Sequence, residues 1–416
     1  MPRHISQISQ APAYEQYRLS NGLRVVSLTT RSSVSYIGVA INAGSRDEGE
    51  NHHGLAHFVE HTIFKGTERR NSWHISNRME SIGGELNAYT SKENTVVYTI
   101  APAVDPERAI ELLADLIANA RFPEAEIERE KEVVIEEIKG ALDTPSEMVF
   151  DEFERLLYPD NSLGHDILGT PESVSRLTSA DCRNFINRCY TPGEMVLFVS
   201  DPSGAERIQR LAEKHFGSLD RPDSTRQRIV PALPHSFSEL RDRQGHQAHT
   251  LIGAPMFSRH DPRRYALMLY NNLLAGPSMN SRLNQELRER RGMVYTVESN
   301  LSLLSDAGAE YIYFGCDRNA VDKCILLIDR ELRKLADKTL SAAALDRISR
   351  QYCGQMLIAA DNGEATAMSM GKSLLFFDEV HDASMIAERV REVTPEQFRE
   401  VAELVCERSD HRLTLC

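Results

Sequence analysis

Leu55-Ala56-His57-Phe58-Val59-Glu60-His61-Thr62-Ile63-Phe64 sets two histidines one helical turn apart, with a glutamate just before the second. At about 100° per residue these three side chains share one face of a helix. Leu55, Phe58, Val59, Thr62 and Ile63 fall mostly on the opposite face, as in a helix with its back in a core, and only Phe64 breaks the division. Two imidazoles so placed can reach a single divalent cation, and the carboxylate beside them can touch water held there. The order His-x-x-Glu-His inverts the common zinc motif His-Glu-x-x-His.

Around this stretch the chain alternates strand and helix signals. Tyr17 to Thr29 predicts two strands turning at Asn21-Gly22, and Val34 to Ala43 a further strand. Arg70 to Ser81 reads as a helix stopped at Gly83-Gly84, and Glu85 to Ile100 as two short strands around Ser91 to Glu93. Pro106 to Asn119 is strongly periodic, and Pro123 opens an acidic helix running to about Leu142. Ser146 to Leu157 is helical, and an irregular loop follows around Pro159 to Pro171. Thr178 and Asp181 make a capping-box start for a helix reaching Cys189, Met195 to Ser200 is a buried strand, and Ala205 to Phe216 a helix. Asp220 to Pro234 holds prolines among polar residues without apolar period, the mark of a linker.

The second half echoes the first at an offset of about 210 to 218 residues. Leu55-Ala56 through Lys65-Gly66 lies over Tyr265-Ala266 through Ala275-Gly276, and Thr178 is matched by Thr394-Pro395-Glu396-Gln397. This predicts two similar α+β domains, each a mainly antiparallel sheet with helices packed on it: 1–220 carrying the metal site, 221–235 as linker, and 236–416 as the related domain. A chain of 416 residues suits two such cores. The repeat is also an internal control. At the positions of His57, Glu60 and His61 the second unit has Leu267, Tyr270 and Asn271. The helix is retained without the ligands, so the fold does not require them.

A catalytic zinc usually takes three protein ligands. On the acidic helix, Glu130 and Glu137 project in nearly one direction and flank the apolar stripe Ile127, Val134 and Ile138. Glu128, Glu132 and Glu136 point to the far side, a solvated face. Glu137 is therefore taken as the third ligand and Glu130 as its neighbour, holding a ligand from behind.

Composition narrows the class. The net charge of −13 argues against a nucleic-acid binder. Seven cysteines without a Cys-x-x-Cys pair read as free thiols in a reducing compartment. Neither a signal-peptide apolar core nor a membrane-length apolar run is visible, so a cytoplasmic protein is expected. His52, His53 and His165 receive no role.

His57-x-x-Glu60-His61 followed after 75 residues by Glu137 resembles the signature of the pitrilysin family, which includes mitochondrial processing peptidase and insulin-degrading enzyme. The likeness covers nearly the whole chain, and Gly83-Gly84-Glu85-Leu86-Asn87-Ala88 with Thr90 to Tyr98 also fits it. The resemblance implies an edge strand that binds substrate backbone through Asn87 and Ala88. Arg288 and Tyr295 match a family pair that binds the substrate carbonyl oxygen; by residue type alone they would be a basic helix face and a strand residue. The implied activity is a zinc endopeptidase, one Zn²⁺ per chain held by His57, His61 and Glu137, with Glu60 activating water. Its substrates would be peptides or unfolded and precursor polypeptides, enclosed in a clamshell. The half-length chain implies a homodimer in which Arg288 and Tyr295 serve the partner's zinc. The rival reading is a non-catalytic or partner-dependent subunit of a heterodimeric peptidase or assembly complex.

Overall fold

The computed structural model describes residues 14–232, 234–243 and 245–416. The polar lead-in and the signal-peptide reading fall on residues 1–13, outside the described residues. In chain order the elements begin β1 (Tyr14–Arg18), β2 (Arg24–Thr29), β3 (Val34–Ile41), α1 (Leu55–Thr62), α2 (Ser72–Glu80), β4 (Glu85–Thr90) and β5 (Thr95–Pro102). Next come α3 (Pro106–Asn119), α4 (Glu124–Leu142), α5 (Pro145–Leu157), α6 (Pro171–Arg176), α7 (Ser179–Cys189), β6 (Met195–Asp201) and α8 (Ala205–Phe216). The later chain gives β7 (Ser238–Arg241), β8 (Ala248–Met256), α9 (Arg264–Ala275), β9 (Val294–Leu303), β10 (Gly308–Cys316) and α10 (Val321–Asp337). It ends with α11 (Ala342–Ala359), α12 (Gly363–Phe377), α13 (Ala383–Arg391), α14 (Pro395–Arg408) and β11 (His411–Leu415).

The two sheets share one topology. The first runs β1-β2-β6-β3-β5-β4 and the second β7-β11-β8-β10-β9. In each, one pair is parallel (β2 with β6, β7 with β11) and the remaining pairs are antiparallel. Leaving out β1, the strands correspond one to one: α1 lies between β3 and β4 in sequence as α9 lies between β8 and β9. The internal repeat is thus a repeat of fold, two similar α+β domains.

Those domains are not contiguous stretches of chain. One compact unit comprises the described residues through Glu132, Glu172–Arg226 and Ile358–Met385; the other comprises Val133–Pro171, Gln227–Leu357 and Ile386–Cys416. The expected halves 1–220 and 236–416 describe chain order, while each compact unit takes a segment from the opposite half. Within the described part of 221–235 there is no helix or strand.

Both faces of each sheet carry apolar side chains, because alternate strand residues point to opposite sides and each sheet is covered twice. In the first unit, α3 packs on β3 and β5, α8 on β2, and α1 beside β4 and β5. The other face, with Val26, Ala40, Val96, Val196 and Phe198, is covered by Ala367, Met370, Leu374 and Leu375 of α12. Gly371 is needed there, since a Cβ would overlap the Phe198 ring. In the second unit, α9, α10 and α14 share the core of one face with Ile252, Ala254, Ile312 and Phe314. Met148, Val149 and Phe153 of α5 cover Leu251, Ala309, Tyr311, Tyr313, Leu413 and Leu415 on the other. So α5 and α12, about one repeat apart, each close the sheet of the opposite half.

Candidate metal centre

The amphipathic reading of α1 holds at the level of side-chain exposure. Leu55, Phe58, Val59, Thr62 and Ile63 are buried, and Phe64, the residue out of pattern, is half-buried. The helix begins at Gly54, a left-handed residue (φ 90°) whose lack of a side chain leaves the N-terminus to be capped from elsewhere. Glu48 does this: Gly54 N–H donates to its Oε2 at 3.0 Å and Ala56 N–H to its Oε1 at 2.7 Å. Burial pushes this carboxyl well above its usual range, against the pull of the two backbone donors.

The loop preceding α1 is tied to the edge hairpin. Ser45 and Arg46 N–H groups donate to the carbonyls of Ser91 and Lys92 in the β4–β5 turn, at 3.1 and 2.8 Å. Arg46 Nη1 lies 2.6 Å from Glu93 Oε1, and both side chains are buried. Gly44 permits this approach, because a Cβ would overlap the backbone of that turn. The loop therefore fixes α1 and the β4 edge to each other.

His57, His61 and Glu137 offer ligand atoms that all lie within 4.8 Å of one another. His57 is 7% exposed, His61 and Glu60 are half-buried, and Glu137 is exposed. Glu137 is thus open to solvent, whereas Glu130, on the same side of the helix, is buried. The two imidazole centroids are 4.6 Å apart with planes at 62°. Burial, and then the nearby His61, pushes the His57 pKa down to about 4, so its ring is neutral at ordinary pH.

Glu130 lies on α4 two turns before Glu137 and reaches the back of the cluster. Its Oε1 is 3.0 Å from His61 Nδ1, and its Oε2 is 2.7 Å from Lys65 Nζ. A carboxylate can only accept, so His61 donates from Nδ1 and keeps Nε2 for a ligand. Glu128, Glu132 and Glu136 face solvent, and Glu128 and Glu136 pair with Lys131 and Lys139 along the helix.

Two imidazoles and one carboxylate match the donor set of a hydrolytic zinc centre, fewer than the four ligands of a structural site. Bonds of about 2.0–2.2 Å to one zinc ion require donors within a few ångströms of each other, and these three lie within 4.8 Å. The residues present fit the ion.

Asn87 and Ala88 lie on β4, the edge strand of the first sheet, half-buried and paired with Tyr98 and Val97 of β5. Arg288 and Tyr295 belong to the second unit. Arg288 is exposed on a π-helical turn, Asn284–Glu289. Tyr295 is exposed near the start of β9, the edge strand of that sheet, and its hydroxyl donates to Asp317 Oδ1 at 2.9 Å. Glu48, Lys65 and the Arg46–Glu93 pair escaped the sequence reading. Nothing local marks them, since each acts on a residue distant in sequence or across a turn.

Comparison with known proteins gives a consistent set. Residues 24–171 match the family described as "Insulinase (Peptidase family M16)", and residues 176–352 match "Peptidase M16 inactive domain". An uncharacterized zinc protease of Streptomyces coelicolor is 33% identical over 394 residues, 92% of this chain and 85% of that protein. The mitochondrial-processing peptidase subunit beta of Homo sapiens is 31% identical over 398 residues, 92% of this chain and 80% of that subunit. Among solved structures, a protease from Helicobacter pylori superposes with a TM-score of 0.88 at 21% identity, covering 97% of this chain and 99% of that one. A putative M16-like peptidase from Alicyclobacillus acidocaldarius gives 0.87 at 20% identity, covering 98% and 99%.

Proposed function

Since the chain belongs to the insulinase family of peptidases, M16, we propose that it is a zinc-dependent endopeptidase acting on peptides or unfolded and precursor polypeptides. One observation carries this reading: His57, His61 and Glu137 converge while the equivalent helix α9 carries Leu267, Tyr270 and Asn271. Leu267 and Tyr270 are wholly buried, so the helix is retained as core where the donors are absent.

In this reading His57, His61 and Glu137 hold the ion, and bound zinc supplies a Lewis acid that polarises a peptide carbonyl and acidifies water. Glu60, on the same face of α1, takes a proton from the attacking water and delivers it to the departing nitrogen. Neutral His57 keeps its lone pair for binding and does not compete for that proton. The free edge of β4 offers N–H and C=O groups to an extended peptide, positioned by Asn87 and Ala88. Arg288 and Tyr295 would donate to the carbonyl oxygen as negative charge grows there. We assign these two donors to the partner in a homodimeric clamshell, each chain completing the other's site.

The test pairs metal analysis with hydrolysis of a mixed peptide pool, with and without chelator. About one zinc per chain and chelator-sensitive hydrolysis are expected. Glu60→Gln should keep its zinc and lose turnover by about 10²–10⁴-fold. Near-normal turnover in that variant would remove the base assignment, and absence of stoichiometric metal would remove the whole reading. Stoichiometric zinc without hydrolysis would favour a partner-dependent subunit.

A further inference from the structure

We propose that Lys65 is a positioning residue for the metal centre, acting through Glu130 on His61; this rests on the zinc reading above. Lys65 closes the 3₁₀ turn Ile63–Lys65 that continues α1, one helical turn beyond His61. Its ammonium meets Glu130 Oε2 at 2.7 Å while Glu130 Oε1 meets His61 Nδ1 at 3.0 Å. Both carboxylate oxygens are thereby engaged, and neither rotation nor a flip of Glu130 is free. The Glu130 side chain is 10% exposed, His61 22% and Lys65 29%, so the carboxylate between them is the most sheltered of the three.

An ordinary surface ion pair contributes little, because two long side chains must be immobilised for a screened attraction. This one differs in how its ends are held. Gly66 O accepts from Arg121 N–H at 3.0 Å, and Thr67 bridges to Ala120, so the backbone beyond Lys65 is pinned to the loop that leads into α4. The same loop feeds the helix carrying Glu130. Lys65 therefore reaches its carboxylate from a fixed base. The carboxylate in turn keeps the proton on His61 Nδ1 and the lone pair on Nε2, the arrangement a ligating imidazole needs. An ammonium suits the outer place: it donates to one oxygen and leaves the other to the ring.

The experiment titrates metal-free protein with zinc chloride against a competing fluorescent chelator, which needs no catalysis. Lys65→Met keeps the stem and removes the charge, and its zinc affinity should fall about 10-fold, the lower end for partners of ligating histidines. Lys65→Arg should restore most of it. Glu130→Gln should weaken binding as well, and the double variant Lys65→Met/Glu130→Gln should bind no more weakly than Glu130→Gln alone, because the lysine acts through the carboxylate. Denaturant unfolding of the metal-free proteins runs alongside. Unchanged zinc affinity in Lys65→Met, whether or not its stability drops, overturns the proposal, as do losses that multiply in the double variant. Failure of the wild-type protein to bind zinc overturns the peptidase reading itself, a distinguishable result.

Discussion

Glu310 should make the second unit sensitive to alkaline pH. It is the third residue of β10, opposite Ala254 of β8 and Leu301 of β9, and is 1% exposed. Ser299 Oγ donates to its Oε1 at 3.0 Å. Burial raises its pKa from 4.5 to about 8, against the pull of that single donor. A carboxyl raised on folding binds its proton more tightly in the native state than in the unfolded one. Its stabilising contribution is therefore complete below pH 4.5 and declines as pH rises through 8. At 1.36 kcal/mol per unit, the decline between pH 5 and pH 9 amounts to about 4 kcal/mol, a large share of an ordinary domain's stability. Glu310→Gln imitates the protonated acid in shape and cannot titrate. Urea unfolding of both proteins at pH 5, 7 and 9 should find them similar at pH 5, with the variant ahead by about 3 kcal/mol at pH 7 and more at pH 9. Other titrating groups cancel in the difference. Parallel pH profiles for the two proteins would refute the reasoning.

Three further outcomes follow from the geometry. Glu137→Gln should lose zinc affinity by more than the about 10–100-fold typical of outer partners, while far-UV circular dichroism and urea midpoint stay put, because Glu137 is exposed. If dimers share sites as proposed, Glu60→Gln and Tyr295→Phe chains refolded together should recover about a quarter of wild-type peptidase activity, since half the dimers are mixed and each has one intact site; activity no higher than the separate variants speaks against sharing. Arg46→Met removes a guanidinium from beside a buried carboxylate and should cost about 3–5 kcal/mol in urea unfolding, with Arg46→Met/Glu93→Leu recovering part of it.

What could be read in advance was whatever depends on residues near in sequence. Helix α3 has the limits its periodicity predicts, and Thr178–Asp181 and Thr394–Gln397 both make the reciprocal bonds of a capping box. The shared face of His57, Glu60 and His61 follows from helical pitch alone, and so does the alignment of Glu130 with Glu137. The exchange of α5 and α12 was not legible, because an amphipathic helix states that it will be covered without stating by which sheet. The one trace lies in β6, wholly buried along Met195–Asp201, which requires helices on both faces of its sheet. Glu48 was hidden for a similar reason: a carboxylate ahead of a loop becomes a helix cap only once the loop folds back.

The two repeats place different demands on equivalent helices. In the second unit, the side-chain amide of Asn271 donates to Ser299 O at 3.0 Å, and the Ser299 hydroxyl lies within hydrogen-bond reach of both Asn271 Oδ1 and Glu310 Oε1. There the polar residues are used up in holding α9 to its own sheet. Around α1 the polar positions serve otherwise. His57 is buried against the preference of its charged form, which is why its pKa falls to about 4. Glu137 is exposed, and its carboxylate completes a three-donor cluster with the two rings. A helix that served only to fill a core would need no histidine at position 57. The site makes physical sense with the ion in place, and the protein's affinity for that ion is the quantity that decides the reading.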